Sequence, residues 1–460
     1  NWIMSKSVIF LFAILISLIS CQVSDDSKDK NGPNIIFIFA DDLGYGDLSS
    51  FGANDISTPN IDFIADNGIK FTDFYSVSSV CTPSRAGMLT GRLPQRFGLN
   101  GVLFPDSHTG MPSSEYTIAE LLRDNGYNTG IIGKWHLGHK HEYLPLQQGF
   151  DSFFGIPYSN DMASTVYFRG NEVVDHFPDQ SLMTKKLTEE SIKFIESNSE
   201  NKFYLYLAHP MPHVPIYASE DFIGSSERGL YGDVIQELDW SVGKIIEKLR
   251  EKNLLDNTMV IFSSDNGPWL TMKEMGGSSG NLRNGKMYTF EGGMRVPTLA
   301  MLNGVIPPGT ISNEITSQLD WFPTLASLTN SKIPDDLILD GINIEVLFNG
   351  QNLNYDRDYL YFDYERLEGY RKGDWKIKLP YGGWPGSWYK SPIDAHDTLL
   401  FNMSNDPGEK NNIFEDNKEL ARNLANSMAK KYNELGELPS SIIIRSDADE
   451  SHLIELDIKK

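Results

Sequence analysis

Five stretches of the chain are apolar at nearly every position: residues 34–40, 129–132, 203–208, 258–262 and 296–302. A strand with one face in water alternates apolar and polar side chains, whereas a strand buried on both faces stays apolar throughout. The five runs therefore predict strands of a parallel sheet that is covered on both faces.

Helical patterns lie between these runs. Thr58 and Pro59 supply an N-cap and a first helical residue, and Thr117 with Glu120 forms a capping box before another apolar face. The longest helical pattern spans residues 233–249. Because strands and helices alternate over about 300 residues, the predicted fold class is α/β, with a large, mostly parallel (mixed) central sheet flanked by helices.

The pattern changes near residue 345. Short alternating segments follow among turns, at residues 359–364, 374–378 and 398–403, with a helical pattern at residues 417–435. These features predict a smaller α+β subdomain with an antiparallel sheet. We therefore assign residues 33–345 to a main domain and residues 346–460 to a C-terminal subdomain.

The N-terminal segment predicts export. Met4 is the expected initiator, and the apolar run at residues 8–19 has 12 residues, which suits a signal peptide and is too short to span a bilayer. The run leads to Cys21 in a sequence that resembles the bacterial lipoprotein cleavage box. We expect a signal peptide at residues 1–21, lipidation of Cys21 and a polar tether at residues 22–32. The protein would then be lipid-anchored in the cell envelope (periplasm or outer surface) of a Gram-negative bacterium; ordinary secretion with cleavage near Ser20 is the alternative.

Composition limits the partners. Among 460 residues, 40% are hydrophobic and 12% aromatic, and the formal net charge is −22. The apolar content is enough for a packed globular protein, and the negative charge repels polyanions, which argues against nucleic-acid binding. An anionic substrate would need a local cationic pocket.

Two pairs of oxygen ligands follow predicted strands. Asp41 and Asp42 come directly after the run at residues 34–40, and Asp265 and Asn266 follow the run at residues 258–262. Groups beyond the carboxyl ends of strands converge on one crevice in open α/β sheets. An all-oxygen set favours Ca²⁺ or Mg²⁺ over zinc, and flexible carboxylate and amide ligation favours Ca²⁺. Two solvated turns are the alternative.

Cys81 is one of only two cysteines. Thr82 is a candidate helix cap and Pro83 suits the first helical position, which would place Cys81 at a helix N-terminus, where anions bind. Arg85 could then present its guanidinium fork to a tetrahedral oxyanion. A small, buried packing cysteine beside a structural arginine is the alternative.

Further cationic and protic groups follow other predicted strands. Lys134 and His136 come after residues 129–132 and suit anion binding and protonation of a leaving group, while His209 and His213 lie in a proline-rich loop after residues 203–208. Lys286, considered alone, reads as a surface lysine. The remaining histidines, expected at the surface or rim, are His108, His139, His141, His176 and His396.

These residues together resemble the formylglycine-dependent (type I) sulfatases of the alkaline phosphatase superfamily, in the branch of arylsulfatase A and galactosamine-6-sulfatase. The similarity extends from Pro33 to about Ile413. The motifs that carry it are residues 34–42, 81–86, 90–92, 130–138, 155–161, 373–376 and 405–409. His209 departs from the family pattern as an extra histidine ahead of the matching His213.

The resemblance implies that a separate maturation enzyme, formylglycine-generating or sulfatase-maturing, oxidises Cys81 to formylglycine. The hydrated aldehyde would offer one hydroxyl to attack sulfur and a second whose deprotonation expels sulfate, and a metal ion would polarise the sulfate oxygens. The implied metal ligands are Asp41, Asp42, Cys81, Asp265 and Asn266.

Roles for the remaining site residues follow from the same resemblance. Arg85 and Lys134 would steady the hydrate and the cation. Sulfate would be held by Ser159, His213, Lys286 and Lys134. Lys286 or His213 would protonate the leaving alcohol, and His136 would act as the base that releases sulfate.

The expected substrate is a sulfated carbohydrate, such as a polysaccharide or glycosaminoglycan fragment, whose sugar rings could stack on the aromatic segment at residues 380–389. A packed loop is the alternative for that segment. A phosphonate or phosphate-ester hydrolase of the same superfamily is a rival function, although Asn266, where such enzymes commonly have histidine, favours sulfate. A lipid-anchored glycan-binding protein with unconverted Cys81 is the second rival.

Overall fold

The computed structural model describes residues 32–162 and 165–443. The predicted signal peptide, the lipidation site at Cys21 and all of the tether but its last residue lie outside these residues, as does the tail beyond 443. Within the described part, no helix combines the length and apolarity that crossing a membrane requires.

The strands and helices are numbered here in chain order. The strands are β1 (Asn34–Ala40), β2 (Ile69–Phe71), β3 (Phe74–Tyr75), β4 (Asn128–Lys134), β5 (Ser152–Ile156), β6 (Tyr167–Arg169), β7 (Glu172–Asp175), β8 (Phe203–Ala208), β9 (Thr258–Ser264), β10 (Thr298–Met301), β11 (Thr310–Ser312), β12 (Thr316–Ser317), β13 (Asp358–Asp363), β14 (Arg366–Lys372), β15 (Trp375–Lys378) and β16 (Leu399–Asn402). The α-helices are α1 (Pro59–Asp66), α2 (Cys81–Thr90), α3 (Ile118–Asp124), α4 (Met183–Ser197), α5 (Gly229–Glu251), α6 (Glu291–Met294), α7 (Trp321–Leu328), α8 (Glu345–Phe348) and α9 (Lys418–Glu434).

A large sheet forms the centre of the molecule, with the order β11-β2-β10-β9-β1-β8-β4-β5-β6-β7. The run from β9 through β1, β8 and β4 to β5 is parallel, whereas β10 pairs antiparallel with both β9 and β2. The predicted mixed, mostly parallel sheet is confirmed. The run at residues 296–302 was wrongly expected to be a parallel strand, because burial on both faces makes a strand apolar in either direction.

Two hydrophobic cores cover the two faces of this sheet. Alternate residues of β1 divide between them: Ile35 and Phe37 belong to the core with α2, α3 and α7, and Ile36 and Ile38 to the core with α1, α4 and α5. All seven residues of β1 are buried, so the strand that carries the predicted metal ligands is fixed from both sides.

The helix caps were predicted with mixed success. Thr117 and Glu120 form the expected capping box at α3. Thr58 does not cap α1, because its hydroxyl interacts with Ser49 and Asp62. The carboxylate of Asp239 on α5 instead accepts the first free N–H groups of α1, a long-range cap that local sequence cannot reveal.

A second, antiparallel sheet has the order β13-β14-β15-β16 and packs against α9, as predicted, although β14 was not expected. The boundary at residue 345 stays a prediction. A buried ion cluster joins this sheet to the part of the chain before it. Lys376 on β15 lies 2.9 Å from Glu291 of α6 and 2.8 Å from Glu409, nitrogen to oxygen, and all three side chains are buried.

Candidate active site

The candidate site begins at the carboxyl ends of β1 and β9. These strands are parallel neighbours with Ala40 opposite Ser264, so Asp41 and Asp265 leave the sheet side by side. The Asp42 backbone N–H donates to Asp265 Oδ1 at 3.0 Å. Asp42 has φ 64°, a left-handed conformation unusual for a residue other than glycine, and its carboxylate is buried. The predicted convergence of the two acidic pairs is confirmed.

The pocket has the ligand atoms that a hard cation requires. Oxygens of Asp41, Asp42 and Asp265 and the Cys81 sulfur all lie within 4.8 Å of one another, and all four side chains are buried. Asn266 Nδ2 donates to Asp42 Oδ1 at 2.7 Å. Its Oδ1 is buried and lacks a hydrogen-bond partner among the described residues, as expected for an atom that faces a cation. These residues fit the predicted oxygen-ligated divalent ion.

Charge crowding supports the same conclusion. Burial, followed by the neighbouring Asp41, raises the pKa of Asp265 to about 7. Burial also raises the pKa of Asp42 despite the contact with Lys286. Carboxylates this close repel one another when they are ionised, and a bound cation removes that repulsion.

Cys81 lies at the N-terminus of α2, as predicted, and its side chain is buried. It is itself the first helical residue, so Pro83 is the third residue of the helix and was wrongly expected to be the first. Its Sγ lies 3.5 Å from Asp41 Oδ1 and 3.5 Å from Lys286 Nζ. Burial raises the pKa of this thiol well above its usual value, so an unmodified Cys81 is a poor nucleophile at neutral pH. Thr82 does not cap α2, because its hydroxyl donates to the His136 carbonyl and Val80 is the N-cap.

Arg85 binds a predicted metal ligand, Asp265, rather than facing an open pocket. Its Nε and Nη2 donate to Asp265 Oδ2 at 3.1 and 2.8 Å, and its Nη1 donates to the Lys134 carbonyl at 3.2 Å. The guanidinium is fully buried with each of its nitrogens engaged. The expectation that it forks around a substrate oxyanion is therefore wrong, whereas its expected role beside the cation agrees with this geometry.

Lys134 lies at the end of β4. Gly133 before it has φ 115°, and a β-carbon there would collide with the Ala208 carbonyl of β8, so glycine permits the close approach that aims Lys134 into the site. The Lys134 ammonium contacts the Asp41 carboxylate and lies 3.2 Å from Ser159 Oγ. Ser159 follows β5, the next strand of the sheet.

His213 completes the side of the pocket opposite β9. Its Nδ1 lies 3.3 Å from Ser159 Oγ and 2.6 Å from the Val214 carbonyl, and its Nε2 lies 3.7 Å from Asp42 Oδ2. Burial, together with Lys286, lowers its pKa well below the usual value. The extra histidine, His209, is buried in the core with its Nε2 3.1 Å from Ser241 Oγ, so of these two histidines only His213 lies in the pocket.

Lys286 is buried, contrary to its appearance as a surface lysine. Its Nζ donates to Asp42 Oδ2 at 2.8 Å and lies 4.6 Å from the ring centre of Trp269. The loop that carries it runs directly into Glu291 of the buried ion cluster. No local pattern distinguishes this lysine, because Asp42 and Cys81, which its ammonium contacts, are more than 200 residues away in the sequence.

His136 lies beside this network. Its Nε2 is 2.9 Å from the Leu103 carbonyl, its Nδ1 lacks a partner among the described residues, and its φ is 59°. Burial and Lys134 lower its pKa well below the usual value, so the ring is neutral. Because its Nε2–H donates to the Leu103 carbonyl, its Nδ1 carries a lone pair. His139 was wrongly expected at the surface: it is buried, with its Nδ1 2.5 Å from the Tyr158 hydroxyl.

Sequence reasoning missed Gln318, which joins α2, the helix that begins at Cys81, to β9, the strand that precedes Asp265. Its Oε1 accepts from Ser84 Oγ at 2.7 Å and from the Val77 N–H at 3.0 Å, while its Nε2 donates to the Ser264 carbonyl at 2.8 Å. Ser84 also donates to the Asp265 carbonyl. A single glutamine so far along the chain gives no sequence signal.

Comparison with known families gives two matches. The family model described as "Sulfatase" matches residues 33–331, and the model described as "N-sulphoglucosamine sulphohydrolase, C-terminal" matches residues 283–437. The first covers more than half of the chain and includes every site residue described above.

Individual proteins are similar over most of their length. Arylsulfatase A of Bos taurus is 39% identical over 432 residues, which cover 85% of either chain. N-acetylgalactosamine-6-sulfatase of Homo sapiens is 36% identical over 428 residues, covering 82% of this chain and 81% of its own. Among solved structures, Ps i-CgsB in complex with k-i-k-neocarrahexaose has a TM-score of 0.79 and 29% identity, with 93% of this chain and 98% of that chain covered.

Proposed function

We propose, because the chain belongs to the sulfatase family, that it is a sulfuric ester hydrolase whose substrates are sulfated carbohydrates. Hydrolysis of sulfate esters follows from the family. The carbohydrate part is supported by one relative named for a sulfated amino sugar and by a structural neighbour that holds an oligosaccharide. The observation that carries the proposal is the position of Cys81 between Lys286 and the Asp41 carboxylate.

The proposed site needs two additions to the chain: a bound cation and the oxidation of Cys81 to formylglycine. Asp41, Asp42, Asp265 and Asn266 would hold the ion, Ca²⁺ in preference to Mg²⁺, with the oxygen of the modified residue 81 replacing Sγ. The ion would polarise sulfate oxygens, and formylglycine would supply a hydroxyl nucleophile in place of the protonated thiol.

Charge balance explains how an acidic protein attracts an anionic ester. Three cationic side chains face three carboxylates in the pocket, so a divalent ion would leave the site with net positive charge. The buried pocket strengthens this local field relative to bulk water. The long-range repulsion from a net charge of −22 then weakens the binding of densely sulfated polymers more than the binding of singly sulfated sugars.

The remaining side chains have distinct tasks in this proposal. Lys134, Ser159, His213 and Lys286 bind the sulfate oxygens, while Arg85 fixes the orientation of Asp265. His136 Nδ1 is free to take the proton whose removal releases sulfate. The protonation of the leaving alcohol falls to Lys286 or His213.

Mass spectrometry tests the modification. We expect the mature enzyme to be lighter than its sequence by about 18 Da at residue 81, without a free thiol there, because an aldehyde replaces the CH₂SH group. A Cys81→Ala variant, which cannot be converted, should fold and lack turnover. An active enzyme with unmodified Cys81 would contradict the proposal.

Metal removal tests the cation independently. Treatment with EDTA should abolish turnover of sulfated sugars and lower the melting temperature, because a ligand that binds only the folded state stabilises it. Added Ca²⁺ should restore both, and Mg²⁺ should do so less well.

Turnover of p-nitrophenyl phosphonate above that of p-nitrophenyl sulfate would instead favour the phosphonate hydrolase.

The location in the cell belongs to the same proposal. Export of the protein and lipidation of Cys21 are proposed from the leader sequence alone. An enzyme anchored in this way would meet polysaccharide fragments in the cell envelope. A Cys21→Ala variant should leave the membrane fraction while keeping its activity, and a variant that still sediments with membranes would contradict the anchor.

A further inference from the structure

An exposed tryptophan lies close to the site and has no part in the chemistry above. The side chain of Trp388 is 75% exposed, which is unusual for the largest aromatic residue. It lies in the segment between β15 and β16, within the aromatic stretch at residues 380–389.

A chain of contacts connects Trp388 to the nucleophile position. Its ring centre is 6.0 Å from that of Trp269, the Trp269 ring centre is 4.6 Å from Lys286 Nζ, and Lys286 Nζ is 3.5 Å from Cys81 Sγ. Trp269 also contacts the His213 ring, at 5.4 Å between centres. Trp269 and Lys286 therefore stand between Trp388 and the sulfate position, which makes Trp388 a candidate contact for the part of a substrate beyond the sulfate.

Exposure along this path identifies the mouth of the site. It falls from 75% at Trp388 to 7% at Trp269 and 2% at Cys81. Trp388 is thus the exposed end of this path of contacts, and its ring is available to a ligand.

The segment is fixed in position on either side of the ring. The Tyr389 carbonyl accepts from Trp269 Nε1 at 2.7 Å and from Thr271 Oγ1 at 3.0 Å, and the Ser387 N–H donates to the Lys390 carbonyl at 2.8 Å. A platform that is already ordered loses little conformational entropy when a ligand binds.

We propose that Trp388 stacks on a sugar ring of the leaving-group side of the substrate and so selects sulfated saccharides over other sulfate esters. The flat face of a sugar carries C–H groups, which pack against an aromatic ring as other apolar surfaces do. The inference rests on the proposed function and assigns the outer part of the same site.

Steady-state kinetics with a sulfated oligosaccharide test the inference. Trp388→Ala should raise KM about tenfold and change kcat less than twofold, because stacking remote from sulfur stabilises ground state and transition state alike. The inhibition constant of inorganic sulfate, a probe of the anion pocket alone, should stay unchanged. Trp388→Tyr, which keeps an aromatic face, should recover most of the loss.

Phe177 offers a matched control. It is 93% exposed, and its contacts are to Asp175 and His176, so Phe177→Ala should leave every constant unchanged. An unchanged KM in Trp388→Ala, or a parallel rise in the sulfate inhibition constant, would overturn the inference while the proposed function stands. A wild-type enzyme inactive on every sulfated saccharide would overturn both.

Discussion

At the scale of single residues, each cation of the pocket has a different carboxylate as its nearest partner, although Arg85 also lies 3.6 Å from Asp41. The pairs are Arg85 with Asp265, Lys134 with Asp41, and Lys286 with Asp42. Because all six side chains are buried, removal of one cation leaves a carboxylate without its partner, which costs more than the pair contributes. Variants of this pocket therefore need a readout that separates chemistry from folding.

The identity of the general acid offers such a readout. Both candidates lie near residue 81, because Lys286 Nζ is 3.5 Å from Cys81 Sγ and a ring nitrogen of His213 is within 4.8 Å of it. Asp42 raises the pKa of Lys286 against the effect of burial, so this lysine gives up its proton reluctantly. Burial keeps His213 neutral in the free enzyme, and the negative charge of a bound sulfate ester would raise its pKa again, which favours His213 as the acid. We expect His213→Gln to lower kcat/KM for a sulfated sugar by about 10²–10⁴-fold and for p-nitrophenyl sulfate by far less, because nitrophenolate leaves without protonation.

Lys286→Met is the matched comparison, and it should reduce turnover of both substrates by similar factors. If Lys286→Met rather than His213→Gln shows the dependence on the leaving group, the assignment of the acid is reversed.

The sequence allowed site residues to be predicted where a motif directly follows a strand. Asp41, Asp42, Asp265 and Asn266 were found in this way, and the family resemblance supplied Ser159 and Lys286. The partners of Arg85 were not predictable, because the strand pairing that brings Asp265 to α2 depends on the whole sheet. The burial of His139 and the role of Gln318 were not predicted for the same reason, because tertiary packing determines their partners.

At the scale of secondary structure elements, position in the sheet was harder to predict than the presence of strands. The runs at residues 34–40 and 203–208 match β1 and β8 residue for residue, yet nothing local shows that β9 lies beside β1. The sequence also did not indicate that β10 runs antiparallel to its neighbours. The site forms because β9, β1, β8, β4 and β5 are parallel neighbours whose carboxyl ends open on the same side.

The contact between β15 and α6 gives a prediction at this scale. Lys376→Met would leave Glu291 and Glu409 buried together without their shared cation, and we expect a loss of about 3–5 kcal/mol in the free energy of unfolding. Because Glu291 follows the Lys286 loop, kcat should fall as well. Urea denaturation and steady-state kinetics measure the two effects.

Two controls sharpen that experiment. Lys372→Met, on the neighbouring strand and outside the cluster, should change stability by about 0.5 kcal/mol or less. Adding Glu409→Gln to Lys376→Met should recover part of the loss, since one uncompensated charge is removed. Equal stability of Lys376→Met and the parent would show that the cluster does not hold the small sheet in place.

At the scale of the whole molecule, buried ionisable groups make stability depend on pH. Burial lowers the pKa of His209 to about 3, whereas an unfolded histidine titrates near pH ~6.5. Between these values the unfolded chain binds a proton that the folded chain does not. Stability therefore falls with falling pH, by about 1.4 kcal/mol per unit from this group.

His209→Gln tests this effect. When the pH falls from 7 to 5, the free energy of unfolding should decrease by about 2 kcal/mol less in the variant than in the parent, because glutamine does not titrate. Glutamine can also keep the contact with Ser241. Other acid-sensitive groups are common to both proteins and cancel. His176→Gln, at an exposed side chain, should lose as much as the parent. An equal loss in His209→Gln would refute the role of His209.

The left-handed backbone at Asp42 and His136 has an evolutionary consequence. Such conformations cost on the order of 1–3 kcal/mol in residues other than glycine, and this protein has one at a proposed metal ligand and one at the proposed base. Replacement by glycine would relieve the strain while abolishing catalysis. At Asp42, glycine would also leave Lys286 buried without its nearest carboxylate, which offsets the gain from relieved strain. Selection for activity therefore keeps aspartate and histidine in a backbone conformation that glycine adopts without cost.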